Sequence, residues 1–197
     1  TEFEQLMILA DRVNQLPRLA VRIKLTTPGA GRWFESGGER SKFGLTIPEL
    51  VRLVRELERR GIGDRLELLH FHLGSQITDI HGLKQAVKEI TQVYADLHRR
   101  GVPVRCLDVG GGLGVHYGGG YGSDDSAINY SLQEYANAIV FSVQEICAAR
   151  DVPEPVLISE SGRAITAHHS VLVVPVLSAQ GHDGEAALSV PSSTDGL

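Results

Sequence analysis

A regular alternation of strand and helix patterns constrains the fold of this 197-residue chain more than any other feature. Apolar segments of strand length recur along the sequence, separated by segments with apolar residues at helical spacing. The predicted strands are Leu19–Thr26, Arg65–Gly74, Arg105–Gly110 and Pro155–Glu160. This alternation is typical of parallel strands joined by crossover helices, and it therefore predicts an α/β fold.

Helical patterns lie before and between these strands. The predicted helices are Thr1–Leu16, a segment that Thr46 opens and Gly61 ends, Ile80–Arg100 and a segment that Ser131 opens. Glutamates three residues after Thr46 and Ser131 complete the spacing of a capping box. Four strands cannot close a (β/α)8 barrel, which needs eight. We therefore predict either an open doubly wound sheet or about half of such a barrel.

Charge and composition argue against several classes of partner. The formal net charge is −5, and the lysines and arginines form no long run, which argues against a nucleic-acid groove. No apolar segment approaches the ~18 residues of a membrane span, and no signal-peptide pattern is present. Cys106 and Cys147 lie in apolar strand and helix patterns, which favours free thiols in a reducing compartment. We therefore expect a cytoplasmic protein with neither nucleic-acid nor membrane partners.

A glycine-rich stretch, Leu107–Tyr117, follows the third predicted strand. Gly110–Gly112 place three backbone N–H groups in succession with no Cβ in the way, which suits an anion. The stretch does not fit a dinucleotide fingerprint, because the next helical pattern starts only at Ser131. We interpret it as a phosphate-binding loop at the C-terminal end of a parallel strand. A permissive turn is the alternative.

Polar residues also follow two other predicted strands. The second strand runs into His72 and Ser75, and the fourth into Glu160 and Arg163. The C-terminal ends of parallel strands meet at one edge, where function is usually found. A hydroxyl, glycine amides and a guanidinium suit a phosphate group. Each residue alone has a simpler explanation: a core histidine, a helix cap, or an ion pair between Glu160 and Arg163.

Strand parity divides these residues between two faces. The residues predicted to point towards the barrel interior are Arg22, His70, His72, Asp108 and Glu160. The residues predicted to pack against helices are Leu69, Phe71, Val109 and Leu157.

Three motifs, in this order, resemble the decarboxylases that use pyridoxal 5'-phosphate (PLP) and have an alanine-racemase-like (β/α)8 barrel. The motifs are His70–Gln76 (HFHLGSQ), Asp108–Gly114 (DVGGGLG) and Glu160–Arg163 (ESGR). Within that group the chain is most similar to the arginine decarboxylases. The stretches that carry this narrower resemblance are Gly37–Leu45, Asn129–Asn137 and Ser159–Val173. The chain has Glu-Ser-Gly-Arg where ornithine and diaminopimelate enzymes usually have Glu-Pro-Gly-Arg.

The resemblance implies roles for individual residues. His72 and Glu160 would be catalytic: His72 would stack on the pyridine ring, and Glu160 would pair with the ring nitrogen. The implied PLP-binding residues are Arg22, His72, Ser75, Gly111, Gly112, Glu160, Gly162 and Arg163. The implied substrate-binding residues are Leu107, Asp108, Val109, Gly110, Gly111, Gly112, Leu113, Gly114, Val115, His116 and Tyr117.

The resemblance also implies an activity, which is decarboxylation of L-arginine to agmatine and CO2 in putrescine and spermidine biosynthesis. The whole enzyme would be a homo-oligomer, a dimer or larger. Mg2+ is implied as well, but the sequence shows no local carboxylate cluster for it, so no metal ligand is assigned. Two alternatives remain open: a decarboxylase for ornithine, diaminopimelate or carboxynorspermidine, and a non-catalytic PLP-binding regulatory relative.

The chain departs from the family at the lysine that holds PLP covalently. That lysine ends the first barrel strand in a Lys-x-Asn context, which none of the lysines here matches: Lys24, Lys42, Lys84 and Lys88. We therefore expect an internal fragment that is inactive alone. Residues 1–169 would form part of the PLP-binding barrel. Residues 170–197 would begin a connection to a C-terminal β-domain with a strand at 170–176 and a flexible tail.

Overall fold

The computed structural model describes residues 1–27, 30–31, 41–116, 128–170, 172–175 and 177–178. The helices are α1 (Glu2–Val13), α2 (Ile47–Arg59), α3 (Ile80–Arg99), α4 (Leu132–Arg150) and α5 (Gly162–Thr166). The strands are β1 (Leu19–Arg22), β2 (Ala30–Gly31), β3 (Leu66–His70), β4 (Gly74–Ser75), β5 (Cys106–Gly111) and β6 (Val156–Glu160). A 3-10 turn, Gly63–Arg65, precedes β3.

Four of these strands form one parallel sheet in the order β1-β3-β5-β6. Its register places Arg22 beside His70, and His70 beside Asp108. Gly111 pairs with Glu160 at the end of β5 and β6. The predicted α/β architecture is confirmed, and the strand ends that carry the motifs lie at one edge of the sheet.

The two faces of the sheet are divided as parity predicts. Leu69, Phe71 and Val109 are buried in the hydrophobic core, and Leu157 packs against it. Helices α3 and α4 contact each other, and α3 also packs against β5. Their apolar faces therefore cover the core side of the sheet and leave the other face for the polar residues.

Capping boxes define the predicted helix starts. The backbone N–H of Thr46 donates to the Glu49 carboxylate at 2.8 Å. At α4 the N–H of Ser131 donates to Glu134 at 2.7 Å. Because each contact lies within four residues, the start of each helix is set locally.

Two predicted strands are shorter in the structure. β1 ends at Arg22, because beyond it Ile23 forms only a single bridge with Leu45. The long second strand is split: β3 ends at His70, and β4 pairs with β2 in a separate two-stranded sheet. Each strand ends early because the chain beyond it pairs with a different segment. The alternation of apolar residues, on which the prediction was based, carries no information about pairing partners.

The C-terminal segment differs from its prediction. No strand forms at residues 172–175, where Leu172 and Val173 are each 86% exposed and have no neighbouring strand to pair with among the described residues. Residues 179–197 lie outside the described residues, so the predicted division at residue 170 stays a prediction.

Among the described residues, none of the helices combines the length and the apolar character that a membrane span requires. Cys106 and Cys147 are free thiols, as predicted.

A carboxylate on α3 holds the chain where it leaves β1. Glu89 accepts hydrogen bonds from the backbone N–H and the hydroxyl of both Thr26 and Thr27. Burial raises the pKa of Glu89, but these hydrogen bonds outweigh it and hold the pKa below its ordinary value of 4.5. A lowered folded-state pKa means stability that is present above pH 4.5 and is lost as pH falls through the folded-state pKa.

We expect Glu89→Ala to lower the free energy of unfolding by about 2 kcal/mol at neutral pH, because partly buried donors lose a charged acceptor. The free energy of unfolding is measured by urea titration, and the difference in it between the variant and the unmodified protein should be smaller near pH 3 than at neutral pH. Glu145→Ala is the control, since Glu145 pairs with Lys88 at 2.9 Å in an exposed contact that contributes little. Equal losses in the two variants would contradict a special role for Glu89.

Candidate active site

The three sequence motifs meet at the C-terminal edge of the sheet. Gly111 lies so close to β6 that a Cβ there would be 2.4 Å from the carbonyl oxygen of Glu160. Gly112 approaches the other neighbour, since its Cβ would lie 1.9 Å from the carbonyl oxygen of Gly74 and 3.4 Å from Cα of Ser75. The glycine run therefore lies between the segment after β3 and the end of β6.

The glycines have a structural cause as well as a predicted ligand role. Gly110 and Gly112 have φ of +68° and +84°, which favour glycine. One extra residue on β5 bulges between Asp108 and Gly111, opposite Ile158 and Glu160. The Asp108 carboxylate accepts the N–H of Gly110 at 2.9 Å and stabilises that bulge. The alternative interpretation, a permissive turn, explains the positive φ values of Gly110 and Gly112. The close approach of the glycine run to Gly74 and Glu160 is a second reason for glycine, and it holds whether or not a ligand binds.

Arg163 joins the first and third motifs. Its Nη2 donates to Oγ of Ser75 at 2.8 Å, and its Nη1 donates to Oε1 of Gln76 at 2.9 Å. The ion pairs of the described residues do not include one between Glu160 and Arg163. Ser75 does not cap α3, whose N-cap is Asp79. Both simpler explanations for these residues are therefore wrong. The Ser75 hydroxyl, the Arg163 guanidinium and the Gly112 backbone lie together, and we call these three residues the strand-end group.

His72 and Arg22 line a small cavity together with Phe43. Burial lowers the pKa of His72, and the neighbouring charges of Arg22 and His70 lower it further, so the neutral imidazole is favoured. The guanidinium of Arg22 lies 5.2 Å from the ring centre of Phe43. Burial also lowers the pKa of Arg22, while Glu160 opposes that shift. Arg22 therefore packs on an aromatic ring and lies within electrostatic reach of the Glu160 carboxylate.

His70, Asp108 and Glu160 form a cluster from three neighbouring strands. One donor atom from each lies within 4.8 Å of the other two. Nδ1 of His70 is 3.0 Å from Oδ2 of Asp108 but is out of line for a hydrogen bond. Magnesium prefers six oxygen ligands in an octahedron, whereas this set offers two carboxylates and an imidazole. The three side chains therefore do not fit Mg2+, and the function proposed below uses no metal ion at this cluster.

The predicted substrate-binding stretch is divided by the fold. Leu107, Val109 and Leu113 are packed in the core, and Val115 is also buried. His116 is exposed, and Tyr117 lies outside the described residues. The side chains of the four buried residues are engaged in packing, and a substrate role for the stretch stays a prediction.

Gly162 was predicted to bind PLP. It is exposed, and a Cβ there would meet nothing within 4 Å, so no packing requires glycine at that position, and its role in PLP binding stays a prediction. Gln76, which was not predicted as a site residue, contacts Arg163 and Val115. Its position at the end of the first motif was the only sequence signal for it.

Curated relatives match most of the chain. A biosynthetic arginine decarboxylase from Rhodopirellula baltica is 50% identical over 177 residues, covering 90% of this chain and 26% of the relative. That from Deinococcus radiodurans is 49% identical over 181 residues, covering 92% of this chain and 27% of the relative. The chain thus spans about a quarter of the length of the curated relatives it matches.

Solved structures match the fold. The biosynthetic arginine decarboxylase from Campylobacter jejuni superposes with a TM-score of 0.67 at 32% identity, covering 82% of this chain and 26% of that one. A mutant diaminopimelate decarboxylase from Helicobacter pylori, complexed with L-lysine, also gives a TM-score of 0.67, at 24% identity, covering 83% of this chain and 39% of that one. The second likeness shows a shared fold.

The part of the chain that contains the strand-end group also matches a known protein family. Residues 1–167 match the family described as pyridoxal-dependent decarboxylase, pyridoxal binding domain. This match spans all four strands of the main sheet and the three motifs at their C-terminal ends. The chain therefore belongs to the pyridoxal-dependent decarboxylases, in the family of their pyridoxal binding domain.

Proposed function

We propose that this chain forms the cofactor-binding part of a longer enzyme that decarboxylates L-arginine to agmatine and CO2. The observation that carries the proposal is the meeting of Ser75, Gly112, Glu160 and Arg163 at one sheet edge. The substrate is proposed from relatives named biosynthetic arginine decarboxylase, about half identical to this chain. Their name supports a place in polyamine biosynthesis.

The residues present fit the phosphate group of PLP. Arg163 can offer a planar guanidinium to a phosphate, and it already donates to the hydroxyl of Ser75. The backbone of Gly112 lies against Gly74 and Ser75, so the amides of the glycine run are close to the Ser75 hydroxyl and can serve the same anion. Arg163 and Ser75 are both half-buried, so they are accessible to a bound anion yet partly shielded from water.

The residues beside that group fit the pyridine ring. His72 is half-buried and favours the neutral imidazole, a flat surface on which an aromatic ring can stack. Glu160 would place its carboxylate at the ring nitrogen and hold a proton there. When bound, PLP supplies an electron sink for the pair released as CO2 leaves.

Asp108 and Arg22 would set the charge around Glu160. Asp108 lies in the cluster with Glu160 and is fixed by the N–H of Gly110. Arg22 lies close enough to Glu160 for the carboxylate to act on the guanidinium, where it raises the pKa of Arg22 against the effect of burial. Together they would place charged groups of both signs around the carboxylate that faces the ring nitrogen. We further propose that the whole enzyme is a homo-oligomer and that it is cytoplasmic. The two free thiols of this chain, Cys106 and Cys147, are in keeping with a reducing compartment.

The test is a substrate assay on the full-length protein that carries this sequence, loaded with PLP. We expect CO2 release from L-arginine to exceed release from L-ornithine, diaminopimelate and carboxynorspermidine. The 197-residue chain alone should release none. Preference for another of these amino acids would contradict the substrate, and PLP binding with no release from any of them would favour the non-catalytic alternative.

A further inference from the structure

Gln76 is hydrogen-bonded to two separate parts of the candidate site. Its Nε2 donates to the carbonyl oxygen of Val115 at 2.9 Å, and its Oε1 accepts the N–H of Val115 at 3.3 Å. The same Oε1 accepts from Nη1 of Arg163 at 2.9 Å. The side-chain amide therefore pairs with Val115 as a backbone peptide would in a sheet, and it orients Arg163 at the same time.

The backbone of Gln76 is also unusual. Its φ is +54°, in the left-handed region that L residues other than asparagine and aspartate rarely adopt. The other described residues of this kind that are not glycine are Asn14 and Asp151, which cap the C-terminal ends of α1 and α4. Gln76 is at no helix end. A strained residue whose side chain is fully engaged is a candidate for a functional constraint.

The neighbouring backbone holds this arrangement in register. The N–H of Ile77 donates to the carbonyl oxygen of Gly112 at 2.9 Å, and the N–H of Gly114 donates to the carbonyl oxygen of Ile77 at 3.1 Å. Ile77 itself is 2% exposed. The segment after β4 is therefore fixed against the glycine-rich stretch, and the Gln76 side chain extends that contact to Arg163.

We propose that Gln76 is a positioning residue that holds Arg163 for the phosphate group of PLP without contacting the cofactor. The inference rests on the proposed function, in which Arg163 binds that phosphate. Two of the five N–H donors of Arg163 serve Gln76 and Ser75, which leaves donors for an anion. Without Gln76 the guanidinium would have to be ordered by the ligand, at a cost in affinity.

The test compares PLP with pyridoxal, which has the same ring and aldehyde but no phosphate. Apoprotein of the full-length protein is titrated with each, and dissociation constants are measured by fluorescence. Gln76→Ala should weaken PLP binding about tenfold, as loss of a hydrogen bond to a charged group does. Pyridoxal binding should change by less than about twofold, because its binding does not involve Arg163.

A double-mutant cycle tests whether the effect passes through Arg163. In an Arg163→Met background, Gln76→Ala should weaken PLP binding no further. Gln92→Ala is the matched control, since Gln92 accepts two hydrogen bonds from Arg150 between α3 and α4, away from the strand-end group. It should change neither constant. If Gln76→Ala does not fold, Gln76→Asn replaces it: asparagine tolerates the positive φ but has a shorter side chain.

The outcomes separate the inference from the proposed function. Equal weakening of PLP and pyridoxal, or no weakening of either, would overturn the role of Gln76. An additive loss in the Arg163→Met background would also overturn it. Failure of the unmodified apoprotein to bind PLP would instead refute the proposed function, whatever the variants do.

Discussion

Replacing Glu160 with glutamine is expected to lower kcat for L-arginine at least a hundredfold, about 2.7 kcal/mol of activation free energy. Glutamine preserves the size of the side chain but has no negative charge with which to hold a proton on the ring nitrogen. PLP should stay bound, because Ser75, Gly112 and Arg163 at the phosphate end are unchanged. The measurement is CO2 release by the full-length protein at saturating arginine, with PLP content determined in parallel.

Glu154→Gln is the control for this experiment. This substitution makes the same chemical change as Glu160→Gln. Glu154 lies just before β6, at the opposite end of the strand from Glu160. We expect its kcat to equal that of the unmodified protein. Turnover close to normal in Glu160→Gln would remove Glu160 from the mechanism, and loss of PLP from that variant would assign it to binding instead.

Gly112→Ala is expected to destabilise the fold by about 3–5 kcal/mol, in the range of the most damaging single substitutions. Two causes add: φ is +84°, and the new Cβ would lie 1.9 Å from the backbone oxygen of Gly74. A backbone atom cannot move aside as a flexible side chain could. The expected result is a large fall in the urea midpoint, together with loss of PLP binding.

Gly61→Ala separates the two causes. Gly61 has a similar φ of +70°, but a Cβ there would meet nothing within 4 Å. Only the conformational cost should remain, about 1–2 kcal/mol. If both variants unfold at the same urea concentration, the close approach of Gly112 to Gly74 does not matter for stability.

The parts of the structure that depend on near neighbours could be predicted from the sequence. The capping boxes at Thr46 and Ser131 join residues three apart. The inward and outward faces of β3 follow from the two-residue repeat of a strand, which puts Leu69 in the core and leaves His70 out of it. The motifs themselves are contiguous, so the order and spacing of their residues were enough to predict the family that the comparisons confirm.

The sequence by itself therefore determined the four strands of the main sheet and the helices α1 to α4, together with the strand faces and the family, because each rests on local periodicity or on contiguous residues. Only the tertiary structure decided which partner each group has. Arg163 bonds to Gln76, 87 residues earlier in the chain, and not to Glu160, three residues before it. The split between β3 and β4 and the packing that requires Gly112 depend on neighbouring segments in the same way. Such contacts depend on pairing between parallel strands, which long crossover connections separate in sequence, so a pattern among near neighbours does not show them.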